Sequence, residues 1–266
     1  MTKLERHTFI LEELLKQGSL LVSELAERLD VSSVTIRKDL TELERAGKLY
    51  RSHGKAILIN PFANNRSVNE KEGLNAEEKQ QIGLEAAKLV SSNDSILLAS
   101  GTTIHALARN LHTTDKLTVV SASLQATELL AQNDNVDIIQ LGGVVRHSSL
   151  SVVGQYADMI LNGCSFSKLY LGVDGIDLDF GISTTDMNEA ELNRSMIRTA
   201  QKTIVLADSS KFGRRGFARI CSMDDVDMII TDSHISAQLV REIEELGIEL
   251  IIAHGASSAL LQYNEN

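Results

Sequence analysis

Residues suited to binding a phosphorylated, hydroxyl-rich ligand are concentrated between positions 100 and 211 of this 266-residue chain. They combine hydroxyl groups, carboxylates and cations with a glycine that lets the backbone approach a ligand closely. The candidate ligand-binding residues are Ser100, Gly101, Thr102, Thr103, Arg146, Asp174, Glu189, Asp208 and Lys211. A second candidate group, nearer the N-terminus, is basic and has the features of a DNA-binding surface.

The Ser-Gly-Thr-Thr turn at residues 100–103 follows an apolar run and leads directly into a predicted helix. Backbone N–H groups at the start of that helix, with both threonine hydroxyls, can hold a phosphate at the positive end of the helix dipole. The alternative is an ordinary strand-to-helix turn with a hydroxyl cap. The chain contains neither GxGxxG nor GxxxxGK[ST], which argues against dinucleotide and nucleoside-triphosphate binding. We therefore predict no cofactor.

The charged candidates indicate how such a ligand would be held. Lys211 and Arg146 can neutralise an anion, and the carboxylates of Asp174, Glu189 and Asp208 can accept hydrogen bonds from sugar hydroxyls. Each also has a structural explanation, as a surface cation, a helix cap or a solvated loop carboxylate. The histidines show no metal-ligand spacing, and no Ser/His/Asp arrangement stands out. We predict neither a metal site nor catalytic residues.

Apolar runs that alternate with helical segments predict the elements that position these residues. The runs are SILLAS, LTVVSAS, VDIIQLGG, KLYLGVDG, TIVLADSS, VDMIITD and IELIIA. This alternation is typical of a mostly parallel sheet covered by helices on both faces. Because ligands bind beyond the carboxyl ends of the strands in such sheets, we expect the polar residues that follow the runs to meet there.

The second candidate group lies within Leu20–Ala56, where two short helices and a basic hairpin are predicted. Apolar residues recur at helical spacing over Val22–Leu29 and again from Ser33 to about Ala46. Ser32 is placed to cap the second helix, and Gly54 to form the turn of the hairpin. Side chains on such a helix and wing can reach bases and phosphates. The candidate DNA-binding residues are Ser33, Thr35, Arg37, Lys38, Thr41, Arg45, Arg51, His53 and Lys55.

Two other interpretations of this segment stay open: an amphipathic helical hairpin with a solvated charged face, and a winged helix that binds protein. The charge distribution favours DNA. Residues 1–57 carry a net charge of +1, whereas the remaining residues carry −11. Attraction to phosphates depends on the local potential within a Debye length, about 8 Å at physiological salt. The acidic remainder is therefore compatible with a DNA-binding module.

The segment ELAERLDVSSVTIRKDLTELERAGKLYRSHGKA resembles the N-terminal winged helix of the DeoR family of bacterial sugar regulators. The matching residues are Thr35, Ile36, Arg37, Asp39, Leu40, Leu43, Gly47, Leu49, Arg51, His53 and Gly54. The family usually has a second glycine where this chain has Lys55, which alters the wing tip and adds a cation there. The resemblance implies a DNA-binding N-terminal domain.

The chain from about Phe62 to Ala253 is similar to the same family. The matching motifs are Phe62 and Arg66, Glu78-Lys79, Ser100 to Thr103, Leu141 to Gly143, Gly154, Gly172 to Gly175, Gly181, Glu189, Ala207 to Gly213 and Thr231-Asp232. The resemblance implies a domain similar to ribose-5-phosphate isomerase and coenzyme A transferase folds, with a phosphorylated sugar bound at the Ser-Gly-Thr-Thr turn. Ala99 stands where the family commonly carries an aspartate, so we expect one hydroxyl acceptor to be missing from the rim.

We predict an α/β protein with a winged helix-turn-helix at residues 1–57, a linker at 58–75, a larger Rossmann-like sensor domain at 76–254 and a polar tail at 255–266. The two cysteines indicate no disulfide framework, and the apolar stretches, of about six residues, are too short to cross a membrane. The N-terminus has mixed charge and does not resemble a signal peptide. We therefore expect a cytoplasmic protein.

These features predict a transcriptional regulator, a repressor of a carbohydrate-metabolism operon, whose binding to double-stranded operator DNA is modulated by a phosphorylated sugar. The alternative is a sugar-phosphate isomerase-like enzyme with an accessory winged helix, against which Ala99 and the basic second helix argue. DNA readers of this type usually dimerise to match symmetric half-sites. We therefore expect a homodimer or homotetramer assembled through the large domain.

Overall fold

The structure, a computed structural model, describes residues 2–45, 48–52, 54–58 and 67–255. The predictions for Gly47, His53, Phe62, Arg66 and the tail after Gly255 concern residues outside these ranges. The N-terminal elements are α1 (Lys3–Gln17), β1 (Ser19–Leu21), α2 (Val22–Arg28), α3 (Ser33–Arg45), β2 (Leu49–Ser52) and β3 (Lys55–Leu58). The predicted helices and hairpin are confirmed, and β1 is an additional strand.

Apolar residues at helical spacing hold the winged helix together. Ile36 and Leu40 on α3 belong to one core cluster with Ile10 and Leu14 on α1, and all four side chains are fully buried. The three strands form an antiparallel sheet in the order β1-β3-β2. Ser32 caps α3 as predicted, since its Oγ accepts a hydrogen bond from the Thr35 N–H at 3.2 Å. Burial of one face of α3 leaves its polar face to solvent.

The larger part of the chain alternates strands and helices. Its helices are α4 (Val68–Glu72), α5 (Ala76–Lys88), α6 (Thr102–Asn110), α7 (Leu124–Leu130), α8 (Gln155–Leu161), α9 (Met187–Thr199) and α10 (Ala237–Glu245). Helix α4 lies within the segment predicted to be a linker. Among the described residues, no helix combines the length and apolar character needed to cross a membrane.

The strands of this part form one large sheet and two small ones. They are β4 (Ser95–Leu98), β5 (Leu117–Ser121), β6 (Val136–Gln140), β7 (Val144–Arg146), β8 (Ser151–Val153), β9 (Lys168–Gly172), β10 (Gly175–Asp177), β11 (Gly181–Thr184), β12 (Thr203–Leu206), β13 (Ala218–Cys221), β14 (Met228–Asp232) and β15 (Glu249–Ala253). Within the described residues the large sheet has seven strands, in the order β15-β14-β12-β9-β4-β5-β6. All its pairings are parallel, and each predicted apolar run forms one of its strands.

Alternate side chains of these strands enter two separate apolar cores, one on each face of the sheet. On β4, Leu97 belongs to one buried cluster, whereas Ile96 and Leu98 belong to the other. On β9, Leu171 and Tyr170 divide in the same way. This alternation follows from the two-residue period of a strand. The predicted α/β fold, with a mostly parallel sheet covered on both faces, is confirmed.

The strand order changes direction between β4 and β9, because β5 and β6 continue on one side and β12, β14 and β15 on the other. Such a switch point leaves a crevice beyond the carboxyl ends of the two strands. Gly172, the last residue of β9, allows the strand ends to approach, since a Cβ atom there would lie 2.4 Å from Ser100 O. The Ser-Gly-Thr-Thr turn and the residues after β9 therefore face one crevice.

Two small antiparallel sheets lie outside the predicted strands. One is the β7–β8 hairpin, and the other has the order β10-β11-β13. These strands have three or four residues and none is a continuous apolar run, so the sequence pattern did not predict them. They matter because Arg146 ends β7 and Thr184 ends β11, and both residues line the cleft.

Substitution of Gly83 can test how closely α5 and α6 pack. A Cβ atom on Gly83 of α5 would lie 2.4 Å from the backbone carbonyl carbon of Ala106 on α6. We expect Gly83→Ala to lower the free energy of unfolding by about 1–3 kcal/mol, because overpacking outweighs a gain in helix propensity of about 1 kcal/mol. Urea unfolding followed by circular dichroism measures the change. The control is Leu84→Ala at the exposed next position, and an unchanged midpoint for Gly83→Ala would contradict the close packing.

Candidate functional site

A cleft at the switch point is lined by eight of the nine predicted ligand-binding residues. They are Ser100, Gly101, Thr102, Thr103, Arg146, Asp174, Glu189 and Lys211. Gly101 is the N-cap of α6 and has a φ of 114°, a conformation that side chains disfavour. The cleft is thus lined by the first turn of a nine-residue helix, whose N-terminal N–H groups have no partner within the helix.

Asp208, the ninth predicted residue, supports the cleft rather than lining it. Its carboxylate is buried and accepts a hydrogen bond from Asn75 Nδ2 at 2.9 Å. It also caps the 3₁₀ turn Ser209–Lys211 through the Ser210 N–H, at 3.1 Å. The Lys211 N–H donates to the Asp208 carbonyl at 2.9 Å. We therefore assign Asp208 to holding the turn that carries Lys211.

Buried Glu189 connects the two sides of the cleft. Its Oε1 accepts a hydrogen bond from Ser100 Oγ at 3.0 Å, and its Oε2 lies 2.8 Å from Arg146 Nη1. Thr184 Oγ1 lies 3.2 Å from Glu189 Oε2 and 3.1 Å from Asp174 Oδ2. These five residues therefore form one connected network.

The two carboxylates of the cleft have pKa values that shift in opposite directions. Burial raises the pKa of Glu189, and the charge of Asp174 raises it further against the opposing effect of Arg146. Burial acts to raise the pKa of Asp174 too, but the ammonium groups of Lys71 and Lys211 outweigh it and hold that pKa well below its usual range. Asp174 is therefore ionised at neutral pH, and Glu189 accepts a proton more readily than an ordinary glutamate.

Lys71 lines the cleft although no sequence pattern singled it out. Its Nζ lies 2.8 Å from Asp174 Oδ1, across 103 positions of sequence. Helix α4 is held in place by the Val68 N–H, which donates to Ser148 O at 2.6 Å, and by buried Lys79, whose Nζ donates to Lys71 O at 2.5 Å. Burial lowers the pKa of Lys79 to about 8. No local spacing could have revealed these contacts, because they depend on how α4 packs.

Ala99 does not line the cleft. Its side chain is buried in the apolar core beneath the switch point. Asp174 and Glu189 both line the cleft and make it acidic. The alanine at position 99 does not change the position of either carboxylate.

Helix α3 carries six of the nine predicted DNA-binding residues, and four of the six are exposed. The exposed ones are Ser33, Arg37, Lys38 and Arg45. Thr35 is half-buried, and its hydroxyl lies 2.9 Å from that of the capping Ser32. Val34 was not predicted, yet it is 59% exposed among these polar groups. An exposed apolar side chain at this end of α3 is of the type that contacts a thymine methyl group.

Arg51 and Thr41, both predicted to bind DNA, are bound to protein groups in this structure. Arg51 Nε lies 2.7 Å from Glu44 Oε2, and its Nη1 donates to Thr41 Oγ1 at 2.8 Å. These contacts join the wing strand β2 to α3. Gly54 has a φ of 78° and turns the wing, Lys55 is half-buried, and His53 lies outside the described residues. Arg51 and Thr41 therefore hold the wing against α3 through contacts within the protein.

Asp39 is the one acidic group at the buried centre of α3. Its carboxylate accepts hydrogen bonds from Arg6 Nε at 2.7 Å and Arg6 Nη2 at 3.1 Å, and it lies 3.3 Å from His7 Nε2. Burial would raise the pKa of Asp39, but the hydrogen bonds and charge of Arg6, with a contribution from His7, lower it below its usual value. The pair anchors α3 to α1.

Comparison with known families bears on both parts of the chain. Residues 6–62 match the DeoR-like helix-turn-helix domain, and residues 74–233 match the DeoR C terminal sensor domain. The chain belongs to the DeoR family. Membership makes it a DNA-binding transcriptional regulator, which confirms the predicted class.

Relatives of known name support this class over the isomerase alternative. A putative aga operon transcriptional repressor of Escherichia coli O157:H7 is 34% identical over 250 residues, which cover 93% of each chain. The glycerol-3-phosphate regulon repressor of Haemophilus influenzae is 30% identical over 250 residues, 94% of this chain and 97% of that one. Ribose 5-phosphate isomerase A from Methanocaldococcus jannaschii is 18% identical, with a TM-score of 0.39 over 52% of this chain and 55% of that one. A structural similarity this low supports no argument about activity.

The pairing of Asp39 with Arg6 predicts an acid-sensitive winged helix. Because the folded-state pKa of Asp39 is lowered, its contribution to stability is complete above the unfolded pKa of about 3.9 and is lost as the pH falls through the folded pKa. We expect Asp39→Asn to cost about 1–3 kcal/mol at pH 7, since Arg6 loses a charged partner. Thermal unfolding of the full chain from pH 7 down to about pH 2 should show the two proteins converging.

The matched control for this experiment is Glu42→Gln on the same helix. Glu42 is exposed and pairs with Lys3 at the surface, so its removal should have little effect at any pH. A difference between Asp39→Asn and the wild type that stays constant down to the lowest pH would contradict the assigned ion pair.

Proposed function

We propose that this chain is a repressor of carbohydrate-metabolism genes whose affinity for operator DNA is changed by a phosphorylated sugar bound in the cleft. The observation that carries the proposal is the convergence, at one switch point, of a helix N-terminus, the cation of Lys211, the buried carboxylate of Glu189 and the partly buried carboxylate of Asp174. These groups match the two chemical ends of a sugar phosphate. The chain division at residues 57, 75 and 254 stays a prediction.

The phosphate would bind at residues 100–103. Gly101 permits close approach of the backbone, and the first N–H groups of α6 are available to an anion. The hydroxyls of Thr102 and Thr103 add donors, and Lys211 supplies a cation at the same cleft. This combination favours a phosphate over a neutral sugar, because a neutral sugar would leave the N-terminus of α6 without a negative partner and the single carboxylate of Asp174 shared by Lys71 and Lys211.

The sugar hydroxyls would bind at Asp174 and Glu189. Asp174 is held ionised by Lys71 and Lys211, so it accepts hydrogen bonds from hydroxyl groups. Glu189 and Arg146 offer an acceptor and a donor within the same network. A ligand that binds here replaces contacts that the protein already makes with itself, and the fit of its hydroxyls to those groups would set specificity.

The proposals that the chain represses its target genes and that it forms a homo-oligomer rest on further observations. Both relatives described above are named as repressors, one of them of a glycerol-3-phosphate regulon. A winged helix that reads symmetric half-sites requires two copies, so we propose a homodimer or homotetramer acting on chromosomal DNA in the cytoplasm. The effector would act by binding the two regulatory states with different affinity.

DNA binding through α3 predicts a specific loss. Arg37→Ala with Lys38→Ala should weaken binding to a duplex selected by the wild-type chain from a random-sequence library. The slope of log affinity against log salt should fall by about 1 for each phosphate contact removed. Fluorescence anisotropy at several salt concentrations measures both. The control removes two exposed cations from the large domain, Lys88→Ala with Arg241→Ala, and equal losses in the two double variants would refute the assignment of α3.

Sugar-phosphate binding predicts a thermal shift. We expect at least one of glucose 6-phosphate, fructose 1-phosphate, ribose 5-phosphate and glycerol 3-phosphate to stabilise the chain, by about 2.7 kcal/mol at a concentration of 100 Kd. Lys211→Ala should abolish most of the shift, because it removes a cation of the cleft. Differential scanning fluorimetry, with unphosphorylated glucose as the ligand control, measures it.

Lys116→Ala is the matched variant for this measurement. Lys116 is exposed just before β5, at the amino end of the strands and so opposite the cleft. It should keep the full thermal shift. The proposed effector class is wrong if none of the four phosphates stabilises the wild-type chain, or if glucose does so equally well.

A further inference from the structure

The stretch of residues 208–216, here called the coupling loop, begins at the cleft. Its 3₁₀ turn Ser209–Lys211 presents Lys211 to the cleft and is held by the buried carboxylate of Asp208. The Ser209 N–H donates to Asp232 Oδ2 at 2.6 Å, which fixes the start of the turn to the end of β14. A ligand anion that draws Lys211 toward itself therefore acts directly on this loop.

Two residues beyond Lys211, the same loop contacts the winged helix. A Cβ atom placed on Gly213 would lie 3.4 Å from Ser19 Cβ. A Cβ atom placed on Gly18 would lie 2.5 Å from Arg214 Nε. Gly18 is the C-cap of α1 and Ser19 begins β1, so the loop touches the winged helix where these two elements meet.

A crevice beside this contact is also shared by the two parts of the chain. Lys55 and Ile57 of β3 line it from the winged helix, and Phe212 and Gly213 line it from the coupling loop. Ser19 pairs with Ile57 in the sheet register, so β1 and the wing strand β3 are bonded neighbours. A displacement of the loop against Ser19 would therefore reach the wing.

The coupling loop has little room to absorb such a displacement. The Gly213 N–H donates to Ile176 O at 2.8 Å, and a Cβ atom on Gly175 would lie 2.6 Å from Arg214 O. The Gly216 N–H donates to Ser183 Oγ at 2.8 Å, next to the cleft residue Thr184. Close-packed elements of this kind move together rather than deform continuously.

We propose that the coupling loop transmits occupation of the cleft to the wing of the DNA-binding domain, through the contact of Gly213 and Arg214 with Gly18 and Ser19. This inference rests on the proposed function, because it assumes that an anion at Lys211 changes DNA affinity. The two regulatory states differ in how the loop sits against β1, and the effector favours one of them. Because the effector acts only by shifting the equilibrium between these states, fixing the contact in one of them removes the influence of the effector on DNA affinity.

A disulfide across the contact tests this directly. The Cβ separation of 3.4 Å between Ser19 and a side chain at Gly213 is close to the mean of about 3.8 Å in disulfides. We would combine Ser19→Cys with Gly213→Cys, oxidise the full chain and compare it with its own reduced form, since a φ of 69° strains any side chain at 213 in both forms. The two single variants control for the native cysteines.

The readouts are the thermal shift with each of the four phosphates named above and the change that each causes in affinity for the selected duplex. We expect the oxidised variant to keep the thermal shift and to lose the effect on DNA affinity, which for coupled sites is typically about 5-fold to 150-fold. Reduction should restore the effect.

Different outcomes would contradict the coupling inference and the proposed function. A wild-type chain that responds to none of the phosphates overturns the proposed function, and the coupling inference with it. Failure of the disulfide to form, or an oxidised variant that keeps the full effect on DNA affinity, overturns the coupling inference alone.

Arg214→Ala gives a test that does not depend on a disulfide. It removes the guanidinium beside Gly18 while leaving the lining of the cleft intact. We expect an unchanged thermal shift and an effect of the phosphate on DNA affinity that is smaller by about threefold or more. Arg241→Ala, an exposed arginine on α10, should behave as wild type, and equal behaviour of the two variants would overturn the assigned contact.

Discussion

The buried carboxylate of Glu189, the partly buried carboxylate of Asp174 and the cations around them form the interaction on which the rest of the sensor domain depends. Asp174 is held ionised by Lys71 and Lys211, and Glu189 is bonded to Arg146 and Ser100. Charges removed from water must be compensated by partners, so each of these groups constrains the position of the element that carries it. Helix α4, the β7–β8 hairpin, the start of α9 and the 3₁₀ turn at 209–211 are all held at the cleft in this way.

The same contacts would allow the cleft to respond to the proposed ligand. An anion with hydroxyl groups offers the same kinds of contact that the protein now makes with itself, so binding exchanges partners instead of creating them. The free energy of such an exchange depends on small differences in geometry, so it would suit a protein whose conformation responds to its ligand. The turn that carries Lys211 continues into the segment that touches the winged helix, so the proposed exchange would take place close to the contact between the cleft and the DNA-binding domain.

The repeating features of the fold followed from the sequence, because they depend on local periodicity. Each of the seven apolar runs forms a strand, and α2 and α3 begin at Val22 and Ser33, the residues at which the sequence predicted them to begin. Ser100, Asp174 and Lys211 follow three different strands, so the parallel-sheet rule predicted that they would meet. The short strands β7, β8, β10, β11 and β13 were not predicted, because none of them is a continuous apolar run like those that predicted the seven strands of the large sheet.

The sequence by itself determined the family, the fold class and most of the cleft, since these depend on motifs and on residues placed directly after strands. Only the tertiary structure decided that Lys71 faces Asp174, that Asp208 supports the rim without lining it, and that Arg51 and Thr41 are bound to each other. It also decided that Gly213 and Arg214 meet Gly18 and Ser19. The physical reason is the same throughout: these contacts join residues distant in sequence, and packing of whole elements, not local propensity, brings them together.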